Sequence, residues 1–158
     1  MSADGAEHGL RLDSYLPYRL SVASNAVSGL IARAYEDRFG LTIPQWRLVC
    51  VLAEEGGLTQ VQIVARTVMD KVTVSRATQG LVKRRLVLRS QNKADGRSQV
   101  LALSAEGRSL HAEIAPLALA YEAALIAGLA PEEVTLLKRL LGRLQAAAGQ
   151  LAGETPRS

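Results

Sequence analysis

The feature that most constrains this chain is the order of local signals between Leu58 and Gly107. Thr59, with Gln62 three residues on, forms a capping box: the hydroxyl accepts from a backbone amide and the glutamine side chain reaches back to the cap. The helix it opens is short and ends near Thr67, because Met69-Asp70 reads as a turn. Asp70 is a second helix cap, and its charge suits the positive end of a helix. From Lys71 to Arg84, Val74, Ala77, Leu81 and Val82 recur at helical spacing and point inward. Lys71, Thr73, Ser75, Arg76, Gln79 and Lys83 remain to face outward. Two β-prone runs follow, Val87–Ser90 and Ser98–Leu103, separated by turn formers from Gln91 to Arg97. The segment therefore predicts a short helix, a tight turn, a basic helix and a two-stranded hairpin with a charged tip.

The flanks read as helices. Pro17 suits a first helical turn, where its missing N–H would be unpaired anyway. Leu20, Ala23, Val27, Leu30, Ile31 and Ala34 then carry a helix to Arg38, and Gly40 is a natural stop. Met1 to Gly9 reads as a loose tail. A second helix is expected from Pro44, with Trp46, Val49, Cys50 and Leu52 as its apolar positions, ending at Glu55-Gly56-Gly57. After the hairpin, Ser104 caps a helix to about Ala127 that Pro116 should kink. Pro131-Glu132-Glu133 opens a last helix to about Gln150. These Ala- and Leu-rich helices exceed what a small core needs, and their spare apolar faces suggest dimerisation.

Charge is concentrated where the short elements lie. The whole chain of 158 residues carries a net charge of +4. Between Asp70 and Arg97 there are eight basic side chains against two acidic ones, while the remainder holds eleven basic and thirteen acidic. A solvated helix face would not confine the charge in this way, and a polyanion-binding surface would. The order of elements is that of a winged helix-turn-helix, so double-stranded DNA is the expected partner. Thr73, Ser75 and Arg76 occupy the N-terminal half of the basic helix, the end that enters a major groove. Arg76 can donate two parallel hydrogen bonds to a guanine edge, worth about 1–3 kcal/mol of discrimination. Gln79 can read adenine or bond a phosphate. Thr59, Gln60, Lys71 and Lys83 suit phosphates, which set register without reading sequence. Arg84, Lys93, Asp95, Arg97 and Ser98 complete the expected contact set. At the hairpin tip the Asp95 carboxylate can hold the Arg97 guanidinium in one orientation, and an aimed arginine suits a narrow minor groove. The bland alternative is an exposed ion pair of little worth.

Leu58-Thr59-Gln60, Met69-Asp70-Lys71, Thr73-Val74-Ser75-Arg76, Lys93-Ala94-Asp95-Gly96-Arg97 and Leu103-Ser104-Ala105-Glu106-Gly107 together resemble the DNA-binding lobe of the MarR family of bacterial transcriptional regulators. The resemblance covers nearly the whole chain. It implies a mainly α fold with a small β-hairpin wing: a winged helix-turn-helix domain plus N- and C-terminal dimerisation helices. Residues 1–38 would be an arm and dimerisation helix, 43–104 the DNA-binding lobe, 105–150 the C-terminal dimerisation helices and 151–158 a tail. It also implies a homodimer on a pseudo-palindromic operator, acting as a repressor released by a small molecule, an aromatic carboxylate or its thioester. Tyr15, Tyr18, Arg19, Ser24, Asn25, Trp46 and Arg47 would line the effector site, with arginine pairing the carboxylate and an aromatic ring stacking. The chain departs from the family pattern at Ala130, where a capping Ser or Thr is usual, and at Gln79-Gly80, where glycine interrupts a helix.

Other readings remain open at this level. A redox-sensing regulator would need Cys50 as an accessible thiolate, yet Leu48, Val49, Val51 and Leu52 surround it and no second cysteine can resolve an oxidised form. A helical protein-interaction module without DNA binding would leave the basic set unused. No nucleophile–base set, metal cluster or phosphate-cradling glycine loop suggests an enzyme, and no cofactor is expected. His8 and His111 are isolated. With no signal peptide or membrane-spanning apolar run visible, a cytoplasmic protein is expected.

Overall fold

A computed structural model describes residues 9–154. The tail up to residue 8, His8 included, and residues 155–158 lie outside them. The chain divides into two compact units at Glu113/Ile114.

The first unit begins with α1 (Leu16–Phe39), which has Pro17 in its first turn. Gly40 closes it at φ 61°, and its N–H donates to the Glu36 carbonyl. That left-handed conformation is one glycine adopts without strain. α2 (Ile43–Glu54) starts one residue before the expected proline, because Thr42 and Gln45 form a full capping box there. β1 (Leu58–Thr59) leads into α3 (Gln60–Thr67), and Asp70 opens α4 (Lys71–Lys83). β2 (Val87–Gln91) and β3 (Gln99–Leu103) form the hairpin, and α5 (Ala105–Leu125) follows.

The expected two-stranded hairpin is present as β2 and β3, and β1 adds a third strand to it. The sheet has three antiparallel strands in the order β1-β3-β2, with Leu58 opposite Leu101 and Val87 opposite Leu103. All four of these side chains are buried. A strand of two residues has no periodicity to announce it, yet it seats the sheet on the helical core. That core combines Leu48, Val49, Ile63, Val74 and Leu81 from the helices, and Leu41 from the connection between α1 and α2, with these strand residues. Val82 is only half-buried, and Thr78 is fully buried in its stead. The Thr78 hydroxyl donates to the Val74 carbonyl at 2.8 Å, so no polar group is stranded there.

Two glycines explain close approaches. A Cβ on Gly80 would lie 2.5 Å from Gln45 Nε2, so the helix-weakening glycine lets α2 and its capping glutamine come against α4. A Cβ on Gly107 would collide with the carbonyl oxygen of Leu86. That carbonyl accepts from both the backbone N–H (3.0 Å) and the hydroxyl (3.2 Å) of Ser104, whose Oγ accepts in turn from the Gly107 N–H at 2.9 Å. Ser104 and Gly107 together lock the end of the hairpin onto the start of α5.

The second unit holds the rest of α5, continuous through Pro116, and α6 (Pro131–Glu154), which runs past the expected end at Gln150. The missing cap at Ala130 is half replaced, since its N–H donates to Glu133 Oε2 at 2.8 Å. Lys138 pairs with Glu122 at 3.3 Å. Leu136, Leu137, Leu140, Leu141 and Leu144 on α6 are all exposed in the single chain. Among the described residues no helix is long and apolar enough to cross a membrane.

Candidate nucleic-acid interface

α3 and α4 are built as two capped helices joined by a tight turn. The Thr59 N–H donates to Gln62 Oε1 at 2.8 Å, and the Gln62 N–H donates to Thr59 Oγ1 at 3.3 Å. Val68, a β-branched residue, sits in the left-handed region at φ 55° between them. At the next cap the Thr73 N–H donates to Asp70 Oδ1 at 2.8 Å, and the Thr73 hydroxyl donates to Oδ2 at 2.6 Å. These bonds, the hydroxyl's above all, hold the Asp70 carboxyl below the usual carboxylate range.

The expected contact residues separate into groups. Lys71, Arg76, Gln79 and Lys83 are exposed on α4. Gln79 Nε2 donates to Ser75 Oγ at 3.4 Å, so these two polar groups lie on one stripe of the helix. Lys71, Val72, Ser75, Arg76 and Gln79 line one shallow groove on the outer face of α4. Thr59 and Thr73 are half-buried, with hydroxyls already used at the two caps. Their hydrogen bonds fix the starts of α3 and α4. Gln60 is half-buried at the start of α3.

Arg84 is exposed and also makes contacts that its place in the basic run does not announce. Its guanidinium donates to the carbonyls of Gly40 (2.9 Å) and Phe39 (3.0 Å), where it caps the C-terminal end of α1. Cations suit that end of a helix dipole.

The wing tip also differs from expectation in its pairing. Asp95 accepts from the backbone N–H of Arg97 at 3.1 Å and makes no ion pair with its guanidinium. Two residues apart in a tight turn, the carboxylate meets the amide first. Ser98 is half-buried; its N–H (3.1 Å) and hydroxyl (3.3 Å) both donate to the Asp95 carbonyl, and its Oγ accepts from Asn92 Nδ2 at 2.9 Å. Gln91 Nε2 donates to the Gly96 carbonyl at 3.0 Å. The turn is thus braced by its own polar groups, and Lys93 and Arg97 are exposed at its end. Among the described residues neither Arg76 nor Arg97 has an ion-pair partner. Arg85 and Arg89, counted in the charge but assigned no part, are exposed near this surface as well.

The residues expected to line an effector site are spread along two helices. Tyr15, Tyr18, Arg19, Ser24 and Asn25 are exposed at the start and in the first half of α1, and Arg19 Nη1 donates to the Asp13 carbonyl at 3.3 Å. Arg47 is exposed on α2. Trp46 is half-buried, with its ring 5.4 Å from Tyr35 and stacked 5.6 Å from His111. A cleft of about 450 Å³ that sequence reasoning missed is lined by Leu52, Ala53, Gly56, Ala102, Leu103, Arg108 and His111. Its residues come from three separate stretches of chain, and no local pattern joins them.

A short helix, a turn, an outward basic helix and a braced hairpin define a winged helix-turn-helix protein. A family profile described as the MarR family matches residues 39–98. The structure of a MarR family transcriptional regulator from Silicibacter pomeroyi is 31% identical, with 87% of this chain and 91% of that one covered at a TM-score of 0.75. BpsR of Bordetella bronchiseptica is 26% identical over 87% of this chain and 97% of its own, at a TM-score of 0.81; its structure is described as a mechanism for regulation of DNA binding by 6-hydroxynicotinic acid. The transcriptional regulator HosA of Escherichia coli is 28% identical over 113 residues, 72% of this chain and 84% of HosA. The chain belongs to the MarR family of DNA-binding transcriptional regulators.

Proposed function

We propose that the chain works as a homodimeric repressor on a pseudo-palindromic operator, released when a small aromatic acid or its thioester binds. Each protomer places α4 in a major groove and the tip between β2 and β3 in the neighbouring minor groove. The observation that carries this reading is the placement of Arg76 and Arg97, exposed and without ion-pair partners among the described residues, on those two features. Such guanidiniums gain by displacing counterions from DNA, and binding should weaken steeply with salt. In titrations of genomic duplexes recovered by the protein, Arg97→Ala should weaken binding by at least about 1 kcal/mol, and Arg76→Ala should also relax base preference. Unchanged curves for both variants would refute the assignment.

Two groups of residues can serve the effector. One is the α1–α2 set of Tyr15, Tyr18, Arg19, Ser24, Asn25, Trp46 and Arg47. The other is the cleft beside Arg108 and His111, where a guanidinium and an imidazole offer a carboxylate two donors. The effect of 6-hydroxynicotinic acid on BpsR supports an aromatic acid as the class to test. Trp46 is the sole tryptophan and stacks on His111, so its fluorescence reports on both places. An acid that releases DNA from the wild type but not from Arg108→Ala places the effector in the cleft; loss with Arg19→Ala places it by α1. The redox reading is disfavoured, since burial, with Glu54 nearby, pushes the Cys50 thiol up to about 11.

A further inference from the structure

The outer groove of α4 contains an apolar side chain that the DNA reading above does not use. Val72 is 58% exposed. With Ser75, Arg76 and Gln79 it completes a stripe at helical spacing, and it lines the same groove as they do, beside Lys71. A β-branched residue on an exposed helix face is a mild cost to the helix, and here no packing offsets it. Basic and amide side chains on both sides suit the groove to a polyanion, so the apolar spot among them has to face something apolar carried by that polyanion. In a major groove the base-edge group of that kind is the thymine C5-methyl.

We infer that Val72 is a specificity residue that reads a thymine methyl group next to the base pair contacted by Arg76. This rests on the proposal that α4 enters the major groove. Val72 and Arg76 are one turn apart, so the two readouts fall on neighbouring base steps. The two γ-methyls of Val72 form a dry contact with the C5-methyl, and they leave a polar cytosine edge unsatisfied at the same place.

The test uses the full-length protein and the tightest duplex selected by it from random-sequence DNA. Each thymine is replaced singly by deoxyuridine, which removes only the methyl. One replacement in each half-site should weaken wild-type binding by about 3- to 10-fold, and the same replacement should change binding of Val72→Ala by less than twofold. Val72→Ala lies on an exposed helix face with a better helix former, so its fold is expected to hold, and its circular dichroism spectrum checks this. The inference is overturned if no deoxyuridine weakens the wild type beyond twofold, or if Val72→Ala keeps the full penalty. Arg76→Ala in parallel separates the two readings. Relaxed preference at a guanine together with indifference to deoxyuridine removes the valine contact alone. Full-strength, unrelaxed binding by Arg76→Ala removes the α4 reading along with it.

Discussion

Gly107 is a position where one methyl group decides whether the hairpin can meet α5. The Leu86 carbonyl occupies the space a Cβ would need, and the Ser104 bonds hold that carbonyl in place. Gly107→Ala should lower stability by about 2–3 kcal/mol, read as a lower urea midpoint, because backbone must move to make room. Cys50 sets a pH limit. Its thiol is raised from 9.0 to about 11, so the folded state favours the protonated form. Its contribution is complete below about pH 9 and falls as pH rises toward 11. Alkylation by iodoacetamide at pH 8 should therefore be much slower in the folded protein than in urea; equal rates would contradict it. The sequence showed which residue types stand at the surface but not which atoms pair. Spacing put Asp95 beside Arg97, and only the turn's geometry showed the backbone amide taking the carboxylate. Arg84 looked like one more cation in a basic run, because its partners lie more than 40 positions away.

At the scale of elements, the caps were legible and the contacts between elements were not. Thr59 and Asp70 carry their own signatures, and both act as expected. The Thr42–Gln45 box was hidden behind Pro44, which by itself reads as a helix start. β1 escaped notice because it exists through pairing with β3, which lies far along the chain. Gly80 costs α4 helix propensity, and the Gln45 side chain that occupies the space beside it comes from another helix. Asp70 is the cap most open to test. Asp70→Ala should lower the thermal midpoint by roughly 4 °C through loss of the cap. The Asp70 carboxyl titrates below its ordinary range when folded, so its support is present above that range and is lost as pH falls through the lower folded value. The gap between wild type and Asp70→Ala should therefore narrow in acid; a gap that stays constant to pH 2 would count against the cap.

At the scale of the whole molecule, the second unit has more apolar surface than a lone chain should show to water. Leu137 and Leu141 lie one turn apart on α6, with Leu136, Leu140 and Leu144 in the adjoining row. If a second copy covers them, Leu137→Lys combined with Leu141→Lys should elute as a monomer and bind operator DNA at least about tenfold more weakly, since one half-site would then act alone. Dimer elution with full affinity would point to another surface. A spare apolar face was legible from residue types alone but its extent was not, because α6 runs past the expected stop at Gln150. The grip of Arg84 on the carbonyls of Phe39 and Gly40 ties the tail of α4 to the tail of α1. One guanidinium therefore holds both helix tails, and a shift of either has to stretch or break its hydrogen bonds.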